Sequence, residues 1–232
     1  MNKKKISHYK KKFLNQGFIL LKNVISDSEC ESLKLKSETL YKRYGKYYSK
    51  YFPLEKTVYN LHNKDKQFLK YLDHKEIYPL VKTLLSTGSY QDNDNIIIQQ
   101  TALRSPKHNY EQGLHNDARI IGCKYPLVVQ VIWLLDDFTK DNGATRIVKG
   151  SQKLNSFPKN KKYKNEKILT AKKGSVLIFN GAVWHGSSKN VTKNDRWGMI
   201  FRYSRWFLKP SFDFNKNTPK KNFLRMNSTQ KS

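Results

Sequence analysis

Residues 127–148 of the sequence read LVVQVIWLLDDFTKDNGATRIV. Apart from Gln130, the run from 127 to 135 is made of β-branched residues, leucine and tryptophan, which is typical of a buried strand. Asp141-Asn142-Gly143 is a turn signal, and residues 144–148 form a second short run of the same kind. Two short strands that follow one another without a helix between them indicate an antiparallel sheet.

The same pattern extends through the second half of the chain. It predicts further strands at residues 96–98, 118–123, 168–171, 175–179 and 198–204. The first 90 residues differ, because their apolar spacing predicts helices at about 6–16, 29–44 and 66–86, with a short extended run at 17–21. We therefore expect a mainly β protein with flanking helices (α+β), in which an antiparallel barrel or jelly roll carries the helices on its outside.

The composition limits this fold further. The chain has 232 residues, of which 38% are hydrophobic and 13% aromatic, enough for one sizeable core and too aromatic for a wholly disordered protein. We expect a single domain, with a helical part at about 1–90, a β core at about 95–210 and a polar, frayed tail at about 215–232. No run approaches the roughly 20 apolar residues that span a bilayer. Two cysteines, Cys30 and Cys123, without a secretory signal favour a reducing, cytoplasmic location.

The net charge of +27 comes almost entirely from lysine, since only eight of the 45 basic residues are arginine. The lysines are scattered and accompany abundant Asn and Ile, which is typical of the surface that an AT-rich genome encodes. A nucleic-acid face would be a patch with arginines and stacking aromatics, so a nucleic-acid partner is disfavoured. The long connection after residue 150 contains Lys159, Lys161, Lys162 and Lys164. It predicts either a lid that meets an anionic substrate or an ordinary solvated loop.

Two histidines stand where metal ligands are expected. His115 and Asp117 form a His-x-Asp pair beside a predicted strand, and His185 follows another strand and a tight turn. Period-2 geometry lets His115 and Asp117 point to one side, and a barrel can bring His185 to them. Two imidazoles and one carboxylate on one face of a metal leave the other face open, as in non-haem Fe(II) oxygenases. The alternative for His-x-Asp alone is a surface turn.

Arg196 follows His185 by 11 residues, at the start of an apolar strand. An arginine that enters a barrel interior is costly unless it meets an anion, and a guanidinium binds both oxygens of a carboxylate. Ser187 has the same strand face as His185 and can donate a hydroxyl to that carboxylate. Together these residues predict a 2-oxoglutarate site. The alternative for Arg196 is an exposed charge paired with Asp195.

Several motifs carry a resemblance to a known family. They are Gly113-Leu114-His115-Asn116-Asp117, Trp133-Leu134-Leu135-Asp136-Asp137 with Asp141-Asn142-Gly143, Gly150-Ser151-Gln152, and Lys173-Gly174-Ser175-Val176 through His185-Gly186-Ser187. They resemble the phytanoyl-CoA dioxygenase family of Fe(II)/2-oxoglutarate-dependent oxygenases, over about residues 9–209. The sequence departs from the family pattern at Leu114, Lys149 and Gln152, where the family has Trp, Pro and His, and keeps the three metal ligands.

The resemblance implies a double-stranded β-helix (jelly roll, cupin-like) and the cofactors Fe(II), 2-oxoglutarate and O2. It implies that His115, Asp117 and His185 bind the iron, that Arg196 and Ser187 bind 2-oxoglutarate, and that Trp133 lies beside this co-substrate. It further implies hydroxylation of a small molecule, with succinate and CO2 as co-products. Related halogenases lack the carboxylate ligand, so Asp117 favours hydroxylation.

Candidate substrate residues are polar side chains on predicted strands: Gln99, Gln100, Thr145 and Arg202. One of the two adjacent glutamines must point away from the site. Two other functions stay open. A nucleic-acid-acting oxygenase of the same superfamily is suggested by the charge and by the spacing of Arg196 and Arg202, and a binding protein could keep the fold without chemistry.

Overall fold

The computed structural model of the protein describes residues 1–90, 96–159, 161–210 and 212–231, without the side chains of Asn215 and Lys216. The longer helices lie in the first 90 residues. The α-helices are α1 (Lys3–Gln16), α2 (Asp27–Ser49), α3 (Leu61–Lys64), α4 (Tyr78–Leu85), α5 (Phe214–Asn217), α6 (Lys220–Phe223) and α7 (Ser228–Lys231). Within the described residues, no helix is long and apolar enough to cross a membrane.

Side-chain caps define the first two helices. Asn2 accepts a hydrogen bond of 2.9 Å from the backbone N–H of Lys5 at the start of α1, and Ser26 accepts one of 3.2 Å from that of Glu29 at the start of α2. Gly17 ends α1 with a φ of 90°, a left-handed conformation that glycine adopts without strain. Both predicted helices are therefore present and somewhat longer than predicted.

The predicted helix at 66–86 is interrupted. It consists of a 3-10 helix (Lys66–Tyr71) and α4, separated by a turn in which the carbonyl of His74 accepts from Ile77 at 2.9 Å. Pro79 stands at the start of α4, where its missing N–H costs nothing. Proline disfavours helical geometry in the residue before it, so one continuous helix through this point is not stable.

Two antiparallel sheets form the body of the protein. The major sheet has the order β1 (Phe18–Leu21), β8 (Val176–Asn180), β5 (Val128–Leu134), β10 (Gly198–Arg205), β3 (Ile96–Pro106) and β2 (Glu55–Tyr59). The minor sheet has the order β4 (Gln112–His115), β9 (His185–Ser187), β6 (Thr145–Val148) and β7 (Glu166–Ile168). This architecture confirms the predicted mainly β fold with flanking helices.

The two faces of the major sheet have different surroundings. On β5, Val129, Val131 and Trp133 belong to the main hydrophobic core, together with residues of α1, α2 and α4. Gln130 and Ile132 alternate with them and face the opposite side, where they line a cavity between the sheets. The helices therefore close one face of the major sheet, and the minor sheet covers the other.

The strand predicted at 118–123 is wrong. After β4 ends at His115, the chain is irregular up to β5. The side chain of Asn116 explains this, because it accepts from the N–H of Arg119 at 2.9 Å and donates to the carbonyl of Ile120 at 3.1 Å. Arg119 and Gly122 have φ angles of 53° and 69°, which a strand does not allow.

The C-terminal segment is packed against the body, which differs from the predicted frayed tail. Asn222 is buried and donates a hydrogen bond of 2.8 Å to the carbonyl of Asn63. Gln230 donates to the carbonyl of Leu69 at 3.0 Å, and Met226 is 8% exposed. A few buried apolar and amide side chains thus hold a segment whose composition is mostly polar.

Candidate metal centre and co-substrate pocket

A cavity of about 410 Å³ lies between the two sheets and holds the predicted site. The minor sheet contributes His115, Thr145, His185 and Ser187, and the major sheet contributes Gln100, Arg104, Gln130, Ile132, Ile200 and Arg202. Asp117, on the irregular segment after β4, and Arg196, just before β10, also line it. The structure therefore brings the three predicted metal ligands and the predicted anion-binding arginine into one cavity.

The two histidines are neighbours across the β4–β9 ladder, where His115 pairs with His185. Gly186 permits this close approach, because a Cβ there would lie 2.9 Å from the carbonyl oxygen of Gly113. Each ring is oriented by a carbonyl two residues earlier, at 3.1 Å for Gly113 and 3.0 Å for Val183. A carbonyl only accepts, so each Nδ1 carries a hydrogen, and Nε2 is the ring atom that can bind a metal when it is unprotonated.

The carboxylate of Asp117 lies against both rings. Its Oδ1 is 3.5 Å from Nε2 of His115, and its Oδ2 is 3.3 Å from Nε2 of His185. Arg202 donates to Oδ1 at 3.0 Å, and Gln130 donates to Oδ2. Burial opposes ionisation of Asp117, but the charges of His185 and Arg202 and the hydrogen bonds from both histidines hold its pKa well below the usual value.

This donor set fits a divalent iron ion. One ligand atom from each of His115, Asp117 and His185 lies within 4.8 Å of the others. Two neutral imidazole nitrogens and one ionised oxygen, on one side of a cavity, match the 2-His-1-carboxylate arrangement that leaves coordination positions open. The orientation of both rings by backbone carbonyls is typical of metal-binding histidines.

Arg196 is buried at the opposite end of the site. Its Nη2 donates to the carbonyl of Gly143 at 2.6 Å, its Nε donates to that of Asn142 at 3.4 Å, and its guanidinium lies 3.9 Å from the ring centre of Phe138. Burial lowers its pKa to about 10, although the charge of Glu55 opposes this. Within the described residues Arg196 forms no ion pair, so an anion in the cavity would satisfy its charge.

Ser187 and Thr145 face each other across the β6–β9 ladder and both line the cavity. The Oγ of Ser187 accepts a hydrogen bond of 3.0 Å from the backbone N–H of Gln112. Its own O–H can therefore donate to a ligand in the cavity. The candidate substrate residues Gln100, Thr145 and Arg202 also line the cavity, and Arg202 contacts Asp117.

Two predicted site residues lie elsewhere. Trp133 is fully buried on the helix-facing side of β5, with its ring 5.0 Å from those of Tyr71 and His74. The expectation that it lies beside the co-substrate is therefore wrong, because strand alternation places Ile132 on the cavity side instead. Gln99 also points away and donates to Ser204 at 2.7 Å, which leaves Gln100 as the cavity residue of this pair.

The sequence pattern alone does not indicate a further group of cavity residues on and near β2. Arg104 lies 3.3 Å from the carboxylate of Glu55 and donates to the hydroxyl of Tyr59 at 2.9 Å. Phe52 lines the same region, and the guanidinium of Arg104 lies 5.8 Å from its ring centre.

Gln130 on β5 is another cavity residue that was not predicted. Its position as the one polar residue in the apolar run 127–135 is the sequence signal that indicates it.

In the part of the chain that the structure describes, the lysine-rich connection does not line the cavity. Within the described residues, the cavity lining contains arginines but none of Lys159, Lys161, Lys162 and Lys164. Tyr163 of this connection packs its ring 5.0 Å from that of Trp184, which precedes His185 and alternates with it. The connection therefore packs near the outer face of the minor sheet.

Solved structures similar to this protein are 2-oxoglutarate enzymes. HygX from Streptomyces hygroscopicus with nickel, 2-oxoglutarate and hygromycin B bound has a TM-score of 0.71 and 16% identity, over 90% of this chain and 89% of that chain. The same protein is known with iron bound. The epimerase SnoN in complex with Fe3+, alpha ketoglutarate and nogalamycin RO has a TM-score of 0.64 and 12% identity, over 88% of this chain and 85% of that chain. These similarities establish the fold.

The fold is thus a double-stranded β-helix with flanking helices, the fold of 2-oxoglutarate-dependent oxygenases. The sequence also matches the phytanoyl-CoA dioxygenase (PhyH) family over residues 13–198, so the protein belongs to that family. Both findings agree with the predicted family, and the iron and 2-oxoglutarate of the solved structures, with the His-Asp-His triad here, agree with the predicted cofactors.

Curated relatives match over part of their length. An uncharacterised protein of Mycobacterium tuberculosis is 25% identical over 152 residues, which are 65% of this chain and 56% of the relative. The dioxygenase af480 of Aspergillus fumigatus is 26% identical over 175 residues, which are 72% of this chain and 54% of the relative. The matched regions thus span somewhat more than half the length of these relatives.

Proposed function

We propose that the protein is an Fe(II)/2-oxoglutarate-dependent dioxygenase that hydroxylates a small molecule. The observation that carries this proposal is the cluster of His115, Asp117 and His185 in the cavity that also contains the buried guanidinium of Arg196. A metal-binding triad and a buried cation that has no ion-pair partner among the described residues suit a ligand that coordinates the metal and carries a carboxylate at its far end.

In this proposal each residue has a distinct task. His115 and His185 present Nε2 to the iron because their Nδ1 hydrogens bond to carbonyls, and Asp117 supplies the negative charge. Bound iron would activate O2, which would take two electrons from the oxidative decarboxylation of 2-oxoglutarate to succinate and CO2 and two from the substrate that is hydroxylated.

Arg196 binds the far carboxylate of 2-oxoglutarate, and Ser187 donates its hydroxyl to the same group. The cross-strand pair Ile132 and Ile200 lines the cavity between the Arg196 end of β10 and its Arg202 end, where it excludes water from the bound co-substrate. The buried position of Arg196 strengthens its attraction to a carboxylate, since little water competes.

The charges of the cavity support an anionic substrate. Among the described residues, four arginines line it, Arg104, Arg119, Arg196 and Arg202, against the two carboxylates of Glu55 and Asp117. An iron(II) ion and a 2-oxoglutarate dianion cancel each other, so the loaded cavity keeps an excess of positive charge. A substrate with a carboxylate or phosphate group would balance that charge. The positive charge that would meet an anionic substrate therefore comes from these arginines and not from the described lysines of the lysine-rich connection.

Labelled oxygen tests hydroxylation directly. A library of small anionic and neutral metabolites is screened for substrate-dependent succinate release with Fe(II) and 2-oxoglutarate, and each hit is repeated under ¹⁸O₂. Hydroxylation predicts one labelled atom in succinate and one in the product. Label in succinate alone, with a product that has gained no oxygen, would contradict hydroxylation and would indicate another oxidative reaction, such as epimerisation. The Asp117→Ala variant is the control and should release no succinate.

A further inference from the structure

The side chains of the three proposed metal ligands are held in their orientations by two different kinds of contact. His115 and His185 lie on strands and are oriented by carbonyls two residues away. Asp117 lies on an irregular segment, where the neighbouring Ala118 is tied to the body by a hydrogen bond of 2.9 Å to the carbonyl of Gly181. A carboxylate on such a segment needs support from elsewhere to hold a fixed orientation.

That support comes from two neighbouring strands of the major sheet. Arg202 on β10 is paired in register with Gln130 on β5, so both side chains leave the sheet side by side on the cavity face. Arg202 donates to Oδ1 of Asp117 at 3.0 Å, and Gln130 donates to Oδ2. Each carboxylate oxygen thus has a donor that is fixed to the sheet.

The burial of these two polar donors is unfavourable for the stability of the fold, and a purely structural role does not explain it. Gln130 is 3% exposed, in a strand whose seven residues are all buried. Its Oε1 and the Nε of Arg202 are buried and have no hydrogen-bond partner within the described residues. Buried polar atoms without partners are unfavourable, so an apolar pair at these positions would stabilise the fold more.

We propose that Gln130 and Arg202 are positioning residues for the metal ligand Asp117. They hold the plane of the carboxylate in the orientation that the metal requires, with Oδ1 on the side of His115 and Oδ2 on the side of His185. The inference rests on the proposed function, since it assumes that Asp117 binds iron. Donors that orient a metal-binding group typically change metal affinity by 10- to 100-fold when removed.

The test is Fe(II) affinity, measured anaerobically by equilibrium dialysis without substrate. Gln130→Leu should weaken Fe(II) binding by roughly 10- to 100-fold. Gln130→Asn keeps the amide but shortens it and should weaken binding as well, which covers the case in which the leucine variant does not fold. Thermal unfolding of the metal-free variants checks that their fold is intact.

Gln100→Leu is the matched control. Gln100 is paired in register with Arg202 on its other side, lines the same cavity and is 7% exposed, but it has no described hydrogen bond to Asp117. This variant should bind Fe(II) as the parent does. Equal weakening by Gln100→Leu and Gln130→Leu would overturn the inference, because it would reveal a general effect of cavity polarity.

Arg202 gives a second readout. Arg202→Leu should weaken Fe(II) binding less than Gln130→Leu, because the loss of a donor is offset by the loss of a positive charge beside the metal. Arg202→Lys keeps charge and donor and should restore affinity. A normal affinity in both Gln130 variants would contradict the inference alone, whereas a normal affinity in Asp117→Ala would contradict the proposed function.

Discussion

The two sheets contribute different chemistry to the cavity. The minor sheet carries His115, His185, Ser187 and Thr145, which are uncharged when the rings are neutral, and its ring orientations depend on local carbonyls. The major sheet contributes the cations and amides, Arg104, Arg202, Gln100 and Gln130, and Arg196 lies two residues before its strand β10. Asp117 lies between the sheets and contacts residues of both.

This division separates metal binding from anion binding. Neutral donors on the minor sheet can bind a cation without repelling it, and cations on the major sheet attract carboxylates. Changes on the minor sheet should therefore affect the metal first, and changes of the major-sheet arginines should affect the co-substrate or the orientation of Asp117.

The largest effect is expected from the minor-sheet ligands. His115→Ala and His185→Ala should each abolish Fe(II) binding and succinate release, because each removes one of three ligand atoms. Anaerobic equilibrium dialysis measures the binding. If either variant kept the metal and the activity of the parent, the assignment of that histidine as a ligand would be wrong.

Arg196→Leu should act on the co-substrate instead. Loss of a charged hydrogen-bonding partner in a buried site costs about 2–5 kcal/mol, so the 2-oxoglutarate concentration needed for half-maximal turnover should rise roughly 30-fold or more. Fe(II) affinity should change little. Arg202→Leu is the control. A selective rise of the 2-oxoglutarate requirement in that variant would mean that Arg202, and not Arg196, binds the co-substrate carboxylate.

The pH dependence of the stability should report the contact between His115 of the minor sheet and Asp117. Burial opposes its protonation, but the hydrogen bond and the charge of Asp117 outweigh burial and raise its pKa above the usual value. Metal-free protein should therefore be stabilised by this proton below about pH 6.5 and lose that contribution as the pH rises through the raised pKa. Fe(II) affinity should change in the opposite direction, because protons compete for Nε2.

Thermal unfolding of the metal-free protein between about pH 5 and pH 9 measures the stability effect. Asp117→Asn removes the partner charge and should flatten this part of the profile. A parent and variant with the same pH dependence would show that the Asp117–His115 contact does not control the proton.

The smallest effect is expected outside both sheet faces. Replacing Lys159, Lys161, Lys162 and Lys164 by glutamine should leave kcat/KM and its salt dependence unchanged, because within the described residues none of them lines the cavity. Kinetics at low and high salt test this once a substrate is known. A lower kcat/KM with a flatter salt dependence would instead favour the lid that the sequence suggested.

The sequence predicted the chemistry of the site better than its scaffold. The types and spacing of His115, Asp117 and His185 indicated the metal centre, but the strand assigned to 118–123 is a turn, and the pairing that unites the histidines uses β4, which was not predicted. Four residues with one apolar side chain give too weak a period to detect β4.

The other differences concern the sheet face on which a side chain lies and the contacts that depend on the tertiary fold. Trp133 was placed beside the co-substrate by resemblance, whereas its alternation with Gln130 puts the two side chains on opposite faces of β5. The sequence does not indicate the strand β2, because its first two residues, Glu55 and Lys56, are charged. In the structure Glu55 forms an ion pair with Arg104 of β3. Such a pairing depends on tertiary contacts that a single sequence does not reveal.

The central claim is that His115, Asp117 and His185 bind Fe(II) together with 2-oxoglutarate. Anaerobic titration of the protein with Fe(II) and 2-oxoglutarate tests it most directly, because chelation of the metal by the co-substrate gives a weak visible charge-transfer band. We expect the band in the parent and its loss in Asp117→Ala, in which neither charge nor donor oxygen remains. An unchanged band in that variant, or no band in the parent, would contradict the account.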